Sequence, residues 1–435
     1  MVDGSQVQER CGLALLIFSH IIVCCVSLVF VANYRYAYAF SPPSFHVFYD
    51  PDRLYIAVTL VAAITLVSIV FLIARFSFGY FVSFYFYTMI VGYLWIECFT
   101  DLNYNHRLSA FSAAVSIVAF MLPALFVSSP VRQMFALSAE SFDRLLILIF
   151  ALGAATAALG AFYNFRIVTI ENIYEYREKL DTPILVNYLQ TIVSSTLLPF
   201  AFAGFVARKS NWHAVAILIL LLLFYPITLT KITLFAPIWL VVMLLLSRLF
   251  PARTAVVISL FIPTLMGLVL LALFKLDGAS YFVVVNFRMI TIPSVAMDVY
   301  NDFFSKHQLT HFCHISLLRP ILDCPYQEQL SLVLRKAYEL GNFNGSLFVT
   351  EGLASVGPLL APFTAFACGL VIALGNRLSA NLPASFVLIS SAILPQVLLN
   401  VPLSVAMLTH GMGLLFLLWY ITPRSIFEHS DPTDD

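Results

Sequence analysis

The residues able to do chemistry in this sequence gather in two polar stretches set between long apolar runs. The shorter stretch, 166–182, reads RIVTIENIYEYREKLDT. Glu171, Glu175 and Lys179 recur every four residues, as do Arg177 and Asp181, so on a helix these pairs would stack along one face. Ion pairing on a solvated helix is one reading of that spacing. The longer stretch runs from about Lys275 to Thr350 and carries Asn286, Arg288, His307, His311, His314, Asp323, Arg335, Asn342 and Asn344, with Glu351 just beyond. His307, His311 and His314 stand four and three residues apart, the spacing of a metal-binding helix face. The segment KHQLTHFCHIS has no carboxylate in an HExxH register, so these read as loop or acid–base histidines and no metal is expected. Cys313 and Cys324 lie in the same stretch and would pair if it faces an oxidising compartment. The tract GNFNGSLFVTEG, 341–352, leads into an apolar run, and a helix starting near Thr350 and Glu351 would offer free N–H groups to a ligand. Its plainer reading is a connection capped by Thr350.

The elements that must position these groups are set by composition. The 435 residues are 61% hydrophobic and 11% charged, with mean hydropathy +0.93. A soluble domain is roughly 45–50% apolar. So few charges cannot cover a water-soluble surface, and the apolar residues come in runs of about 18 or more, enough to cross a bilayer as helices. The formal net charge is zero and no stretch is strongly basic, which gives no support to nucleic-acid binding. The seven cysteines include no CxxC pair, so neither a zinc nor a dithiol redox site is expected, and no cofactor is implied.

The chain reads as one all-α integral membrane domain, 1–435, of about twelve transmembrane helices: 11–32, 54–74, 77–98, 109–129, 144–164, 187–207, 213–230, 232–249, 254–274, 353–375, 384–401 and 403–421. Small residues crowd the fifth run and predict close helix packing there. Lys and Arg favour the side bearing Arg10, Arg75, Arg132, Arg144, Arg208, Lys209, Arg248, Arg253, Arg377 and Arg424, which places both termini in the cytoplasm and the 275–350 loop outside. Within that loop, Val295, Val299 and Phe303 mark one helix. Leu330, Val333, Ala337 and Leu340 mark a second, stopped by Gly341. Both are expected to be amphipathic, lying on the membrane or capping the bundle.

Three pieces resemble a known family: IYEYREKLDTP from Ile173, TKITLFAPIWLVVMLL from Thr230, and NFRMITIPSVAMDVYNDFF from Asn286 to Phe304. They are similar to segments of the bacterial O-antigen and exopolysaccharide repeat-unit polymerases (Wzy-like), and the likeness extends over the middle and C-terminal two-thirds of the chain. The resemblance implies an inner-membrane glycosyltransferase acting on oligosaccharides carried by polyprenyl diphosphate, with a chain-length regulator as an additional partner. It also implies roles for Arg177 and Arg288 in two outer loops. Arginine grips a diphosphate with paired N–H donors and stabilises the charge that grows as the sugar–oxygen bond breaks. The attacking hydroxyl calls for a base, for which His311, His314 and Glu351 are the candidates. Tyr174 and Tyr176 could stack on sugars or anchor at the membrane surface, while Arg335, Asn342 and Asn344 are candidate substrate contacts. An O-antigen ligase would share this architecture. A lipid-linked oligosaccharide flippase predicts ionisable residues inside the spans, where the sequence shows chiefly His20, Glu97 near an end, and His410. A polysaccharide acyltransferase would need a better-supported histidine than the isolated His20.

Overall fold

The computed structural model describes residues 4–32, 46–169, 173, 176, 180, 182–275, 279–315, 318–340 and 344–427. Among these the regular structure is helical, with no strand and one isolated bridge between Val47 and Thr100. In chain order the helices are α1 (Gly4–Ala32), α2 (Pro51–Ile73), α3 (Phe78–Ile96), α4 (His106–Phe126), α5 (Ala139–Tyr163), α6 (Ile184–Ala207), α7 (Asn211–Thr228), α8 (Lys231–Leu249), α9 (Ala252–Phe274) and α10 (Ser280–Lys306). They continue with α11 (Leu330–Tyr338), α12 (Phe348–Ser379), α13 (Ala384–Ser390), α14 (Leu394–Leu398), α15 (Leu403–Thr409) and α16 (Met412–Ile421). Eleven are long and apolar enough to cross a membrane, or twelve if α15 and α16, bent by 60° at their join, count as one span. The protein is a multi-pass membrane helix bundle. Its contacts divide it into two compact units: Met1–Val127 with Val256–Ala373 and Leu398–Ser404, and Ser128–Ala255 with Leu374–Val397 and Val405–Asp435.

The first unit is built around α3. Every one of its residues is buried, as expected of a helix that is apolar on all sides and rich in Phe and Tyr. Ser77 starts it by accepting the Tyr80 N–H. Helix α1 runs parallel to it. His20 is hydrogen-bonded to Thr88, and beyond the helix ends the Tyr49 N–H donates to the Ala32 carbonyl while Phe48 N–H donates to Phe99. Helix α9 is joined to α3 through Tyr85 and Ser259. The Asn286 amide of α10 then ties α1 to α9, donating to Ser27 Oγ (2.9 Å) and to the Thr264 carbonyl (2.7 Å).

Helix α10 departs from the surface helix expected for 295–304. Residues 293–304 are all buried. It passes the length and hydropathy test for a span. It begins just after the end of α9, and near its own end Asp302 accepts the Asn103 N–H from the loop that follows α3. Widened helical turns over Val283–Thr291 precede Pro293, which lacks an N–H. The second expected helix is present as α11, though it ends at Glu339, which adopts the left-handed conformation (φ 55°). Gly341 lies outside the described residues.

Gly267 on α9 makes the seat for Asn286, since a β-carbon there would stand 1.9 Å from Asn286 Oδ1. Asn286 is fully buried and held by two hydrogen bonds, so it cannot yield cheaply. Gly267→Ala is expected to destabilise the protein by about 1–3 kcal/mol, the range for overpacking a core. Gly12→Ala, where nothing lies within 4 Å, is the control and should match or exceed the wild-type melting midpoint in detergent. Equal midpoints for Gly267→Ala and wild type would show that the seat is loose.

In the second unit the small residues of α5 do pack closely: a β-carbon on Gly153 would meet Leu198 at 2.8 Å, and one on Gly160 would meet Gln190 at 2.3 Å. Leu229 turns the chain between α7 and α8 in the left-handed region, the join expected around Thr228–Lys231. The expected span 384–401 is not one helix. It is divided into α13 and α14, with Pro395 opening α14, and Pro402 precedes α15. Gly411 (φ 78°) then breaks α15 from α16.

Candidate functional site

Among the described residues, the densest gathering of buried ionisable groups lies in the first unit, where α3 and α10 both end. Glu97 caps the end of α3, Asp298 and Asp302 lie one turn apart on α10, and all three carboxylates are buried. Tyr93, Tyr104, Asn301 and Ser109 surround them. The Tyr104 hydroxyl donates to Asp298 Oδ1 and lies 3.3 Å from the Tyr93 hydroxyl. Asn301 donates to Tyr93 Oη (3.0 Å) and accepts from Ser109 (2.8 Å). Asn105 caps α4 by accepting the Leu108 N–H, which places His106 beside Glu97.

The three carboxylates are in different states. Asp302 is saturated, accepting from Lys306 Nζ (2.5 Å), Tyr338 Oη (2.6 Å) and the Asn103 N–H (3.1 Å). It joins α10, α11 and the 97–105 loop, and its charge is balanced by Lys306. Asp298 has one oxygen bonded by Tyr104 and the other, Oδ2, without a partner. Neither oxygen of Glu97 has a well-formed hydrogen bond, and the nearest ring nitrogen, His106 Nδ1, stands 3.7 Å away. Burial, followed by the negative charge of Asp298, pushes Glu97 up to about 9. The two acids therefore act as a unit that retains a proton at neutral pH. The His106 side chain is 39% exposed and its Nε2 meets the Leu102 carbonyl at 3.0 Å. A carbonyl only accepts, so Nε2 carries a hydrogen, and Nδ1 is the ring nitrogen that faces Glu97. His106 thus stands between the protein surface and a buried acid, placed to pass a proton.

A small cavity of about 10 Å³, room for about one water, adjoins this cluster. It is lined by Ser109, Ser112, Ser116, Asn301 and Phe348, and the Ser116 hydroxyl has no partner.

The residues singled out from sequence are distributed as follows. Arg288 is exposed on the widened part of α10, Arg335 is exposed on α11, and Asn344 is exposed. Arg177, Tyr174 and Asn342 lie outside the described residues. Tyr176 packs against an apolar cluster of Ile173, Tyr225 and Leu229, with Arg166 over its ring at 6.0 Å. His311 and Glu351 are brought into neighbouring segments, since the Thr310 and His311 N–H groups donate to the carbonyls of Ala354 and Ser355. The His311 side chain is exposed, whereas Glu351 is buried and accepts from both the N–H and the hydroxyl of Ser404 at 2.9 Å. The start of α12 thus presents no open N-terminus at Thr350 and Glu351. Those residues lie within its first turns, which begin at Phe348.

His314 is half-buried beside a Cys313–Cys324 disulfide and stacks on Tyr326. Burial, then the charge of Arg319, lowers its basicity. Cys313, His314 and Cys324 lie close enough together to suggest a metal group, but while the disulfide is closed neither sulfur is a thiolate ligand.

Sequence reading missed His106, Asp298 and Asp302 and passed over Glu97 as a span-end charge. The available signal was the loop ECFTDLNYNHR, 97–107, which is unusually polar for a short connection in this chain. Compared with known proteins, the chain matches no family model, no curated sequence and no solved structure.

Proposed function

We propose that the protein is a glycosyltransferase that polymerises oligosaccharide repeat units carried on polyprenyl diphosphate in the bacterial inner membrane. The observation that supports this reading best is the path of α10. It carries the exposed Arg288 and, along the same helix, buries Asp298 against Glu97 beside the half-exposed His106. An anion-gripping group and a proton-accepting group on one membrane-embedded element are what transfer from a lipid diphosphate requires. The acceptor sugar hydroxyl attacks C1 of the growing chain. The C1–O bond to the diphosphate breaks, and polyprenyl diphosphate leaves with the electron pair. The hydroxyl proton passes by way of His106 to the Glu97–Asp298 pair, which holds one proton and has one carboxylate left to take it, rather than to His311, His314 or Glu351. The disulfide in 307–347 supports assigning this end of the unit to the oxidising, periplasmic side.

A transporter of the same lipid-linked glycan is the second reading. It is favoured by buried Glu351, whose Oε2 has no partner, in widened turns before the Gly357 kink (φ 76°) of α12, and by the breaks between α13 and α16. Discontinuous helices of this kind bracket substrate sites in transporters. The glycan ladder from a deletion strain separates the two. Surface glycan of one repeat unit is expected if polymerisation alone is lost. Loss of even that single repeat would contradict the polymerase reading and favour transport.

A further inference from the structure

A cavity of about 310 Å³ opens in the second unit, lined by Pro130, Val131, Arg132, Gln133, Asn381 and Arg424 among others. Its walls are fixed by a dense set of hydrogen bonds. The Val131 N–H donates to the Arg377 carbonyl, Leu137 N–H to Ile421, and Met134 N–H to the Tyr420 hydroxyl (2.8 Å). The Gln133 amide donates to the Tyr420 and Thr422 carbonyls. Arg424 donates to the carbonyls of Trp419 (3.0 Å), Thr422 (3.4 Å) and Leu378 (3.0 Å). The guanidinium is thus held in place without a carboxylate, and burial pulls it down to about 10. Arg132 makes no side-chain hydrogen bond or ion pair among the described residues. The described carboxylates of this unit, Glu140 and Asp143, are taken by Arg144 and Arg208.

Two cations therefore face one pocket, and no carboxylate among the described residues balances them. At about 310 Å³ the pocket lies at the small end of ligand sites, of a size for a headgroup. Met134 and Phe135, next to the pocket wall, are 88% and 60% exposed, as befits a segment lying in lipid. Basic pockets beside the membrane are suited to phosphate-bearing headgroups. We propose that Arg132 and Arg424 form a phosphate-binding site, filled by the headgroup of an anionic phospholipid or by a free phosphate. This site is independent of the transfer chemistry proposed above.

The test is thermal unfolding and native mass spectrometry of the full-length protein in detergent. The probes are dioleoyl phosphatidylglycerol, dioleoylglycerol and inorganic phosphate, each added to wild type, Arg132→Gln, Arg424→Gln and Lys209→Gln. Phosphatidylglycerol is expected to stabilise wild type where dioleoylglycerol does not. Arg132→Gln should weaken that binding about tenfold, the loss of one charge-assisted contact. Lys209→Gln, which removes a charge from outside the pocket, should leave it unchanged. Stabilisation by inorganic phosphate alone, lost in Arg132→Gln, would support the site with a free anion as its occupant. Arg424 also ties the end of α16 to Leu378, so Arg132→Gln decides if Arg424→Gln fails to fold. Equal binding of phosphatidylglycerol to wild type and Arg132→Gln, or equal weakening by Lys209→Gln, would overturn the proposal.

Discussion

Replacing Arg288 by alanine is expected to stop glycan extension while leaving the protein present at wild-type abundance. Arg288 is exposed, so its truncation should cost little stability. The widened turns over Val283–Thr291 that carry it are fixed by the buried Asn286 and Phe287, and these remain. What is lost is a guanidinium able to meet the charge that builds on the departing diphosphate. Removing one such group from a transfer site costs about 10²–10³ in turnover. Arg288→Lys keeps the charge but loses the paired donors, so it should fall between alanine and wild type. Glycan length on gels, beside an immunoblot for protein level, reads both quantities. Normal chain length in a strain expressing only Arg288→Ala would assign the residue a structural role and remove the anion-gripping half of the proposed mechanism.

Glu97→Gln should weaken the pH dependence of stability and shift that of transfer at alkaline pH. The carboxyl has an ordinary value near 4.5 and is pushed up to about 9 when folded. Between those values the folded state binds more protons than the unfolded state, so stability falls as pH rises from about 5 to 9, by up to tenfold in the unfolding equilibrium per pH unit. Glutamine cannot ionise. Its stability should fall less steeply over that window, and at pH 8 the variant should be the more stable protein. For transfer, wild type loses the proton held by Glu97 as the pH approaches 9, whereas glutamine has none to lose, so the alkaline limb of the rate profile should shift by a unit or more in Glu97→Gln. Melting midpoints from pH 5 to 9, followed by rates over the same range, test this. Parallel midpoint curves for variant and wild type would show that Glu97 does not hold a proton in the folded protein. A shifted stability curve with an unchanged rate profile would confine it to a structural role.

Much of this architecture is legible in the sequence because lipid enforces it. Runs such as 54–74 and 254–274 have no alternative to helix, and their observed counterparts α2 and α9 differ from expectation by only a few residues at the ends. The join at Thr228–Lys231 and the close packing of the fifth run were also readable, since polar breaks and small residues carry those signals locally. Helix α10 was harder. Its apolar period is real, but whether a helix lies on a membrane, crosses it or turns back inside depends on contacts such as Asn286 with Ser27 and Asp302 with Asn103, between residues about two hundred or more positions apart. The buried acids were hidden for the same reason. Glu97 and Asp298 are individually unremarkable, and only their meeting makes them a proton-holding pair. Span 384–401 failed in the other direction. Its hydropathy suits one helix, yet the chain breaks ahead of Pro395 once neighbouring helices can satisfy the backbone.

The most direct test of the central claim is reconstitution of the purified protein in liposomes with a polyprenyl-diphosphate-linked oligosaccharide. Extended glycan and released polyprenyl diphosphate are measured together. The polymerase account predicts one polyprenyl diphosphate released for every new glycosidic bond, with both products absent for Arg288→Ala. Translocation of the lipid-linked oligosaccharide across the bilayer without extension or release would contradict it.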